Sequence, residues 1–304
     1  MTRREFLKRA LALGAGAYAA AQTGLLSLLD GVAEAAAAPP TIVVASRRDI
    51  AGRVRAAVEA LGGMGKFLKR GGSVLIKPNV AWIRKPEYAA NTNPEVVAEL
   101  VRLCRAAGAR EVKVMDNPVD GPANRAFSTS GIAAAAEKAG AKVLPATSAA
   151  MFQKKQIKRG KVLKETQTLR DLLRADLFIN VPIAKVHGTT RVTLGCKNLM
   201  GTVLDRGAWH QSDSLDQCIA DYAAEVRPHL VVLDATRVLL SNGPKGPGQT
   251  RDLNLIVAGT DPLAVDAYGV KLLGLKAEQI GHLKRASQMG VGELDLNRVT
   301  VKSV

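Results

Sequence analysis

Ser73-Val74-Leu75-Ile76-Lys77-Pro78-Asn79 decides the fold once it is set beside the residues that run on to Asn117. Gly71-Gly72 breaks the chain, a short β-rich run begins, and the run stops at the polar Lys77-Pro78-Asn79. Asn93-Pro94 then opens a helix over Glu95–Ala107, with Pro in the first turn and Gly108 just past the end. Glu111–Met115 is the next strand, and it too stops at a polar pair, Asp116-Asn117. Strand, helix and strand at this pitch make a crossover unit, and crossover units build parallel sheets.

The alternation extends in both directions. Thr41–Ala45 reads as a strand, and Asp49 can cap a helix over Ile50–Leu61. Ser130 is expected to cap Gly131–Ala139, and Lys142–Leu144 returns as a strand. Gln153–Lys164 interleaves Lys, Gln and Arg with aliphatic residues around Arg159-Gly160-Lys161, the pattern of an exposed two-stranded ribbon. Leu177–Val181 is a buried strand, and Pro182–Ser214 is expected to be irregular. A helix over Leu215–Val226, strands at Leu230–Leu233 and Leu253–Val257, and a helix over Leu263–Leu272 complete the pattern. The fold class is therefore α/β: a mostly parallel sheet with helices on both faces, plus a small antiparallel ribbon insertion. Residues 39–304 are expected to form a single α/β domain.

The N-terminus reads differently. Arg3-Arg4, then Phe6, Leu7 and Lys8, precede an Ala/Gly/Leu-rich run to Leu29 and a small-residue tract that ends at Pro39-Pro40. A charged start, an apolar middle and an A-x-A exit are the parts of a cleavable export signal. Paired arginines select the twin-arginine route. Residues 1–38 are thus expected to be removed and the protein to be periplasmic or exported. No later run reaches the roughly eighteen apolar residues of a spanning helix, so no transmembrane segment is expected after cleavage.

Net charge is +16; the signal carries four basic and three acidic residues, which leaves +15. Such a surface concentrates anions. Export, and the lack of any helix-turn-helix, RNP or zinc-finger pattern, argue against nucleic acid. Cys104, Cys196 and Cys218 are too few and too far apart for a disulfide framework or a four-cysteine iron–sulfur cluster within one chain.

Polar clusters end several expected strands: Lys77/Asn79, Asp116/Asn117, Lys185/His187, Asp234 and Asp261. In open α/β sheets the ligand crevice lies outside the carboxyl ends of the strands, so these clusters should converge. The densest chemistry runs from Asn180 through Lys185, His187, Cys196, Lys197 and Asn198 to Gly201. Lysines supply charge for an anion, and the glycines let backbone N–H groups approach it. Lys77, Asn79, Lys197, Asn198 and Asp116 are candidate substrate-binding residues. His187 and Lys185 are candidate catalytic residues, His187 as a general base. Cys196, His210, Asp261 and Asp266 are candidate metal ligands.

Val74–Asn79, Asn91–Gly108, Asn180–His187, Cys196–Gly201 and Asp261–Ala267 together resemble the domain of unknown function numbered 362, over about residues 70–275. The resemblance rests on ordered K-P-N, K-x-H, K-N-x-x-G and D-P-x-A-x-D blocks. Members of that family are often fused to ferredoxin-like cluster domains, whose cysteines this chain lacks, and exported members start with a twin-arginine signal. The leading expectation is an exported enzyme acting on a phosphate- or carboxylate-bearing small molecule. The alternatives are a non-catalytic subunit sharing a metal or cluster with a redox partner protein, and a polyanion-binding envelope protein.

Overall fold

A computed structural model describes residues 38–211 and 214–304, and Pro40–Val304 forms one unit. The expected export signal lies, but for its last residue, outside the described residues.

The chain runs β1 (Thr41–Ala45), α1 (Ile50–Ala60), β2 (Ser73–Pro78), α2 (Pro94–Ala106), β3 (Glu111–Val114), α3 (Ala123–Thr129), α4 (Ile132–Lys138), β4 (Lys142–Val143), β5 (Phe152–Gln156), β6 (Glu165–Leu169) and α5 (Arg170–Arg174). It continues through β7 (Leu177–Val181), β8 (Ile183–His187), β9 (Arg191–Thr193), α6 (Gly195–Asn198), α7 (Gly207–Gln211) and α8 (Leu215–Glu225). Last come β10 (Leu230–Leu239), β11 (Thr250–Gly259), α9 (Pro262–Leu272), α10 (Gly281–Gln288) and β12 (Thr300–Ser303). Helices start where the sequence offers caps: Asp49 accepts from Gly52 N at 2.6 Å, and Asn93 from Glu95 N at 2.9 Å.

One ten-stranded sheet has the order β12-β1-β11-β10-β7-β2-β3-β4, with β8 and β9 attached alongside β10; β5 and β6 form the separate antiparallel ribbon. From β10 through β7, β2 and β3 to β4 every pairing is parallel. Side-chain alternation along each strand fills two cores. Val74 and Ile76 face α1 and α2 through Val54, Val58, Val97 and Leu100. Leu75, between them, joins Phe178, Val231, Ile219, Leu263 and Leu283 on the opposite face. Helices therefore cover both faces, and each fully buried aliphatic side chain contributes roughly 1.5–3 kcal/mol.

Several boundaries differ from expectation. Ser130 ends α3 rather than capping α4, its hydroxyl donating to Phe127 O at 3.1 Å. The ribbon's second strand starts at Glu165, so Arg159-Gly160-Lys161 is the connection between strands. Pro182–Ser214, expected to be irregular, holds among its described residues the β8–β9 hairpin, two short α-helices and a 3-10 turn at Leu199–Thr202. Each piece is shorter than the window in which periodicity becomes visible.

A cation-lined cavity at the strand ends

Because β2, β3 and β7 run parallel, their carboxyl ends share one edge of the sheet, and a cavity of about 500 Å³ opens there. It takes Lys77 and Asn79 from the end of β2, Asp116 and Asn117 from beyond β3, and Lys185 and His187 from β8. Thr193, Lys197, Asn198, Met200, Gly201, Arg206 and His210 line the other side. Trp82, Val119 and Pro244 give an apolar wall, so the Asn242–Gly246 turn borders the cavity.

Lys77 is held on every side. Its Nζ donates to Pro78 O at 2.6 Å and Asn198 Oδ1 at 2.8 Å, and pairs with Asp116 Oδ1 at 2.9 Å. Burial lowers its pKa, while the Asp116 charge opposes that shift. Both Asp116 oxygens are occupied, since Oδ1 also accepts from Asn117 N and Oδ2 from Val80 N at 2.6 Å. Asp116 therefore fixes Lys77 rather than presenting a free carboxylate to a ligand.

An amide relay joins Lys77 to Lys185. Asn79 Nδ2 and Lys77 Nζ both donate to Asn198 Oδ1, and Asn198 Nδ2 donates to Asn180 Oδ1 at 2.8 Å. Lys185 Nζ donates to Asn79 Oδ1 at 3.0 Å and Ala90 O at 2.5 Å. Among the described residues no carboxylate pairs with Lys185, and burial, with Lys77 and Lys197 adding to it, pulls its pKa down to about 7. Lys197 is also buried; among described residues its Nζ has one hydrogen-bond acceptor, Met200 Sδ at 3.1 Å. Burial, then Arg206, draws its pKa down to about 8.

His187 Nδ1 accepts from Thr189 N at 3.1 Å and from Thr190 N at 3.4 Å. Burial and the lysines bring its pKa down to about 3, so the ring is neutral and carries its proton on Nε2. A ring so arranged is a donor, which takes away the base role expected of it.

The remaining expectations separate by place. The carboxyl end of β11 lies at the opposite sheet edge, because β11 runs antiparallel to β10 and β1. Asp261 there caps α9, accepting from Leu263 N and Ala264 N at 2.9 Å. Asp266 accepts from Gly195 N at 2.6 Å and Cys196 N at 2.8 Å, and so anchors α6. Asp234 accepts from Asn93 N and Thr236 N. Burial raises the Cys196 thiol well above its usual range. Of the candidate ligands, Asp266 contacts Cys196 and Asp261 lies near enough to raise the pKa of both, while His210 lines the cavity apart from them; no group of three or more His, Cys, Asp or Glu among the described residues could hold a metal ion.

Sequence reasoning missed Arg206, Thr193 and Trp82. Arg206 donates to Asn117 O at 2.6 Å and Pro118 O at 2.7 Å and has no carboxylate partner among the described residues. Thr193 Oγ1 and Trp82 Nε1 are buried with no hydrogen-bond partner among the described residues. Arg206-Gly207 was the available signal, inside the segment expected to be irregular.

Fold and cavity together define an α/β protein with a cation-lined pocket at the parallel strand ends. The chain belongs to the family described as Domain of unknown function (DUF362), whose model matches residues 74–271. A thylakoid-associated protein of Synechocystis sp. is 28% identical over 251 residues, 78% of this chain and 74% of that protein. Among solved structures, a Thermotoga maritima protein is similar at TM-score 0.42 and 11% identity, covering 78% of this chain and 59% of that one. Lactate racemase apoprotein from Thermoanaerobacterium thermosaccharolyticum is similar at TM-score 0.46 and 12% identity, covering 76% of this chain and 56% of that one. The chain thus spans less than two thirds of either solved structure.

Proposed function

We propose that this chain is an exported enzyme that binds a phosphate- or carboxylate-bearing small molecule in the strand-end cavity and moves a proton on it through Lys185. One observation carries the reading: Lys77, Lys185, Lys197 and Arg206 line one cavity in which, among the described residues, Asp116 is the one carboxylate. An uncompensated set of buried cations is costly without an anion to complete it. The Arg206 guanidinium keeps its charge at all working pH values and so secures the ligand.

Lys185 suits proton transfer because two oxygen acceptors fix its nitrogen, which leaves one tetrahedral position to face the ligand. With a pKa of about 7 it accepts or donates at neutral pH. His187 Nε2–H can donate to negative charge as it develops.

The test is a thermal-shift screen of phosphorylated and carboxylated metabolites, followed by turnover assays. A ligand at a hundred times its Kd adds about 2.7 kcal/mol of stability. Lys185→Met is expected to lower kcat by about 10²–10⁴ with little change in KM, and the wild-type rate should inflect near pH 7. Full turnover in Lys185→Met would remove the proton-transfer role. Ligands that bind without any conversion would make the chain a binding protein.

A further inference from the structure

Four cationic side chains share the cavity, yet the three lysines are held in three different ways. Lys77 Nζ has three oxygen partners, Pro78 O, Asn198 Oδ1 and Asp116 Oδ1, which suits a permanent ammonium. Lys185 Nζ has two, Ala90 O and Asn79 Oδ1. Lys197 Nζ has no oxygen partner among the described residues, only the Met200 thioether, a weak acceptor. It is 7% exposed and lines the cavity beside Arg206.

We propose that Lys197 is a carbonyl nucleophile that forms an imine with an oxo acid or keto phosphate seated in the cavity. The inference rests on the anion-binding reading of that cavity, because Arg206 must hold the ligand's carboxylate or phosphate, with Lys77, whose three N–H groups are already committed, adding only charge. Amines become nucleophiles where burial and adjacent cations strip their proton, and Lys197 has both. Imine formation also requires the nitrogen to give up both N–H groups. Lys185 would lose two hydrogen bonds to oxygen in doing so, and Lys197 loses only a sulfur contact.

The step balances without an oxidant or reductant. The Lys197 lone pair forms the C–N bond as the carbonyl π pair moves to oxygen, and a proton relayed by Lys185 completes the carbinolamine. The C–O bond then breaks as C=N forms, and the carbonyl oxygen leaves as water with the two protons of the amine. Thr193 Oγ1, buried at the cavity wall and without a hydrogen-bond partner among the described residues, is placed to accept a hydrogen bond from the carbinolamine hydroxyl or from the departing water.

The experiment uses pyruvate and dihydroxyacetone phosphate as probes, at pH near 7.5, with sodium borohydride to reduce any imine to a stable secondary amine. Peptide mapping of the wild-type protein is expected to find one reduced adduct, on Lys197, suppressed by inorganic phosphate. Lys197→Arg keeps the positive charge and is expected to lose the adduct. Stabilisation by phosphate with no adduct on Lys197 overturns the imine and leaves the anion site standing. An adduct on Lys185, labelling scattered over surface lysines, or labelling that phosphate leaves unchanged also overturns it. Absence of both stabilisation and adduct overturns the anion-site reading as well.

Discussion

Burial of Lys185 bears on stability apart from the proton transfer proposed for it. It titrates near pH 7 when folded, against 10.5 as an ordinary lysine. Between these values the unfolded chain binds the extra proton, so this group's contribution to stability rises with pH. Below pH 7 the folded protein carries the full cost of a buried charge. Lys185→Met removes that cost, so its melting temperature should exceed the wild-type value most at pH 6, with the gap narrowing toward pH 10. Parallel melting curves across that range would sink the argument. Gly201 is constrained by closeness rather than by flexibility: a Cβ there would lie 1.9 Å from Asp116 Oδ1 and 2.6 Å from Lys77 Nζ. Gly201→Ala is therefore expected to split the Lys77–Asp116 pair, to cost about 1–3 kcal/mol as overpacking, and to abolish stabilisation by phosphate. An unchanged phosphate response in a calorimetric melt would show that this pair is not needed for binding. The chain announced Gly201 only as spacing in K-N-x-x-G, since the atoms that crowd it come from β2 and beyond β3.

At the scale of elements, strands and helices longer than about one turn were legible, and so was the edge of the sheet that holds the cavity. Lys77, Asp116 and Lys185 could be grouped from sequence because each follows a hydrophobic run in a parallel strand. Asp261 obeys the same local rule and falls at the other edge, because β11 reverses between β10 and β1. Strand direction is a non-local property, and a polar residue after a strand does not reveal it. The β8–β9 hairpin and α6 were invisible for another reason: they are three to five residues long, and tertiary anchors hold them. Asp266, reaching from α9, is the anchor of α6 through Gly195 N and Cys196 N. Asp266→Ala leaves two buried N–H groups unpaired, each costing about 1–3 kcal/mol. A loss of about 2–6 kcal/mol in denaturant melts is expected, together with a weakened phosphate response, since α6 carries Lys197 and Asn198. A variant of near wild-type stability would mean that α6 is held by its packing against α8 and α9 instead.

At the scale of the whole molecule, the chain carries a net charge of +16 and its cavity is itself cationic, so the protein as a whole attracts anions toward the site. On the proposed reading, that field would draw an anion in and the buried lysines would set what is held. Destination is a separate property, and the export proposed for this chain rests on its first residues. Arg3-Arg4 with the apolar run to Leu29 motivates export through the twin-arginine route, which carries proteins already folded. The ten-stranded sheet gives that route a physical rationale, because its order brings strands from the two ends of the chain together and β1 pairs with β12. Long-range pairings of this kind close slowly. A chain that completes them before crossing avoids exposing unpaired strand edges in transit. Replacing Arg3 and Arg4 by Lys keeps the charge and removes only the paired guanidinium groups. The double variant is expected to accumulate in the cytoplasm as a folded precursor with an unaltered phosphate response, while the wild-type chain is recovered outside and starts near Pro39. Fractionation and N-terminal sequencing read both outcomes, and export of the double-Lys form at the wild-type level would rule the route out.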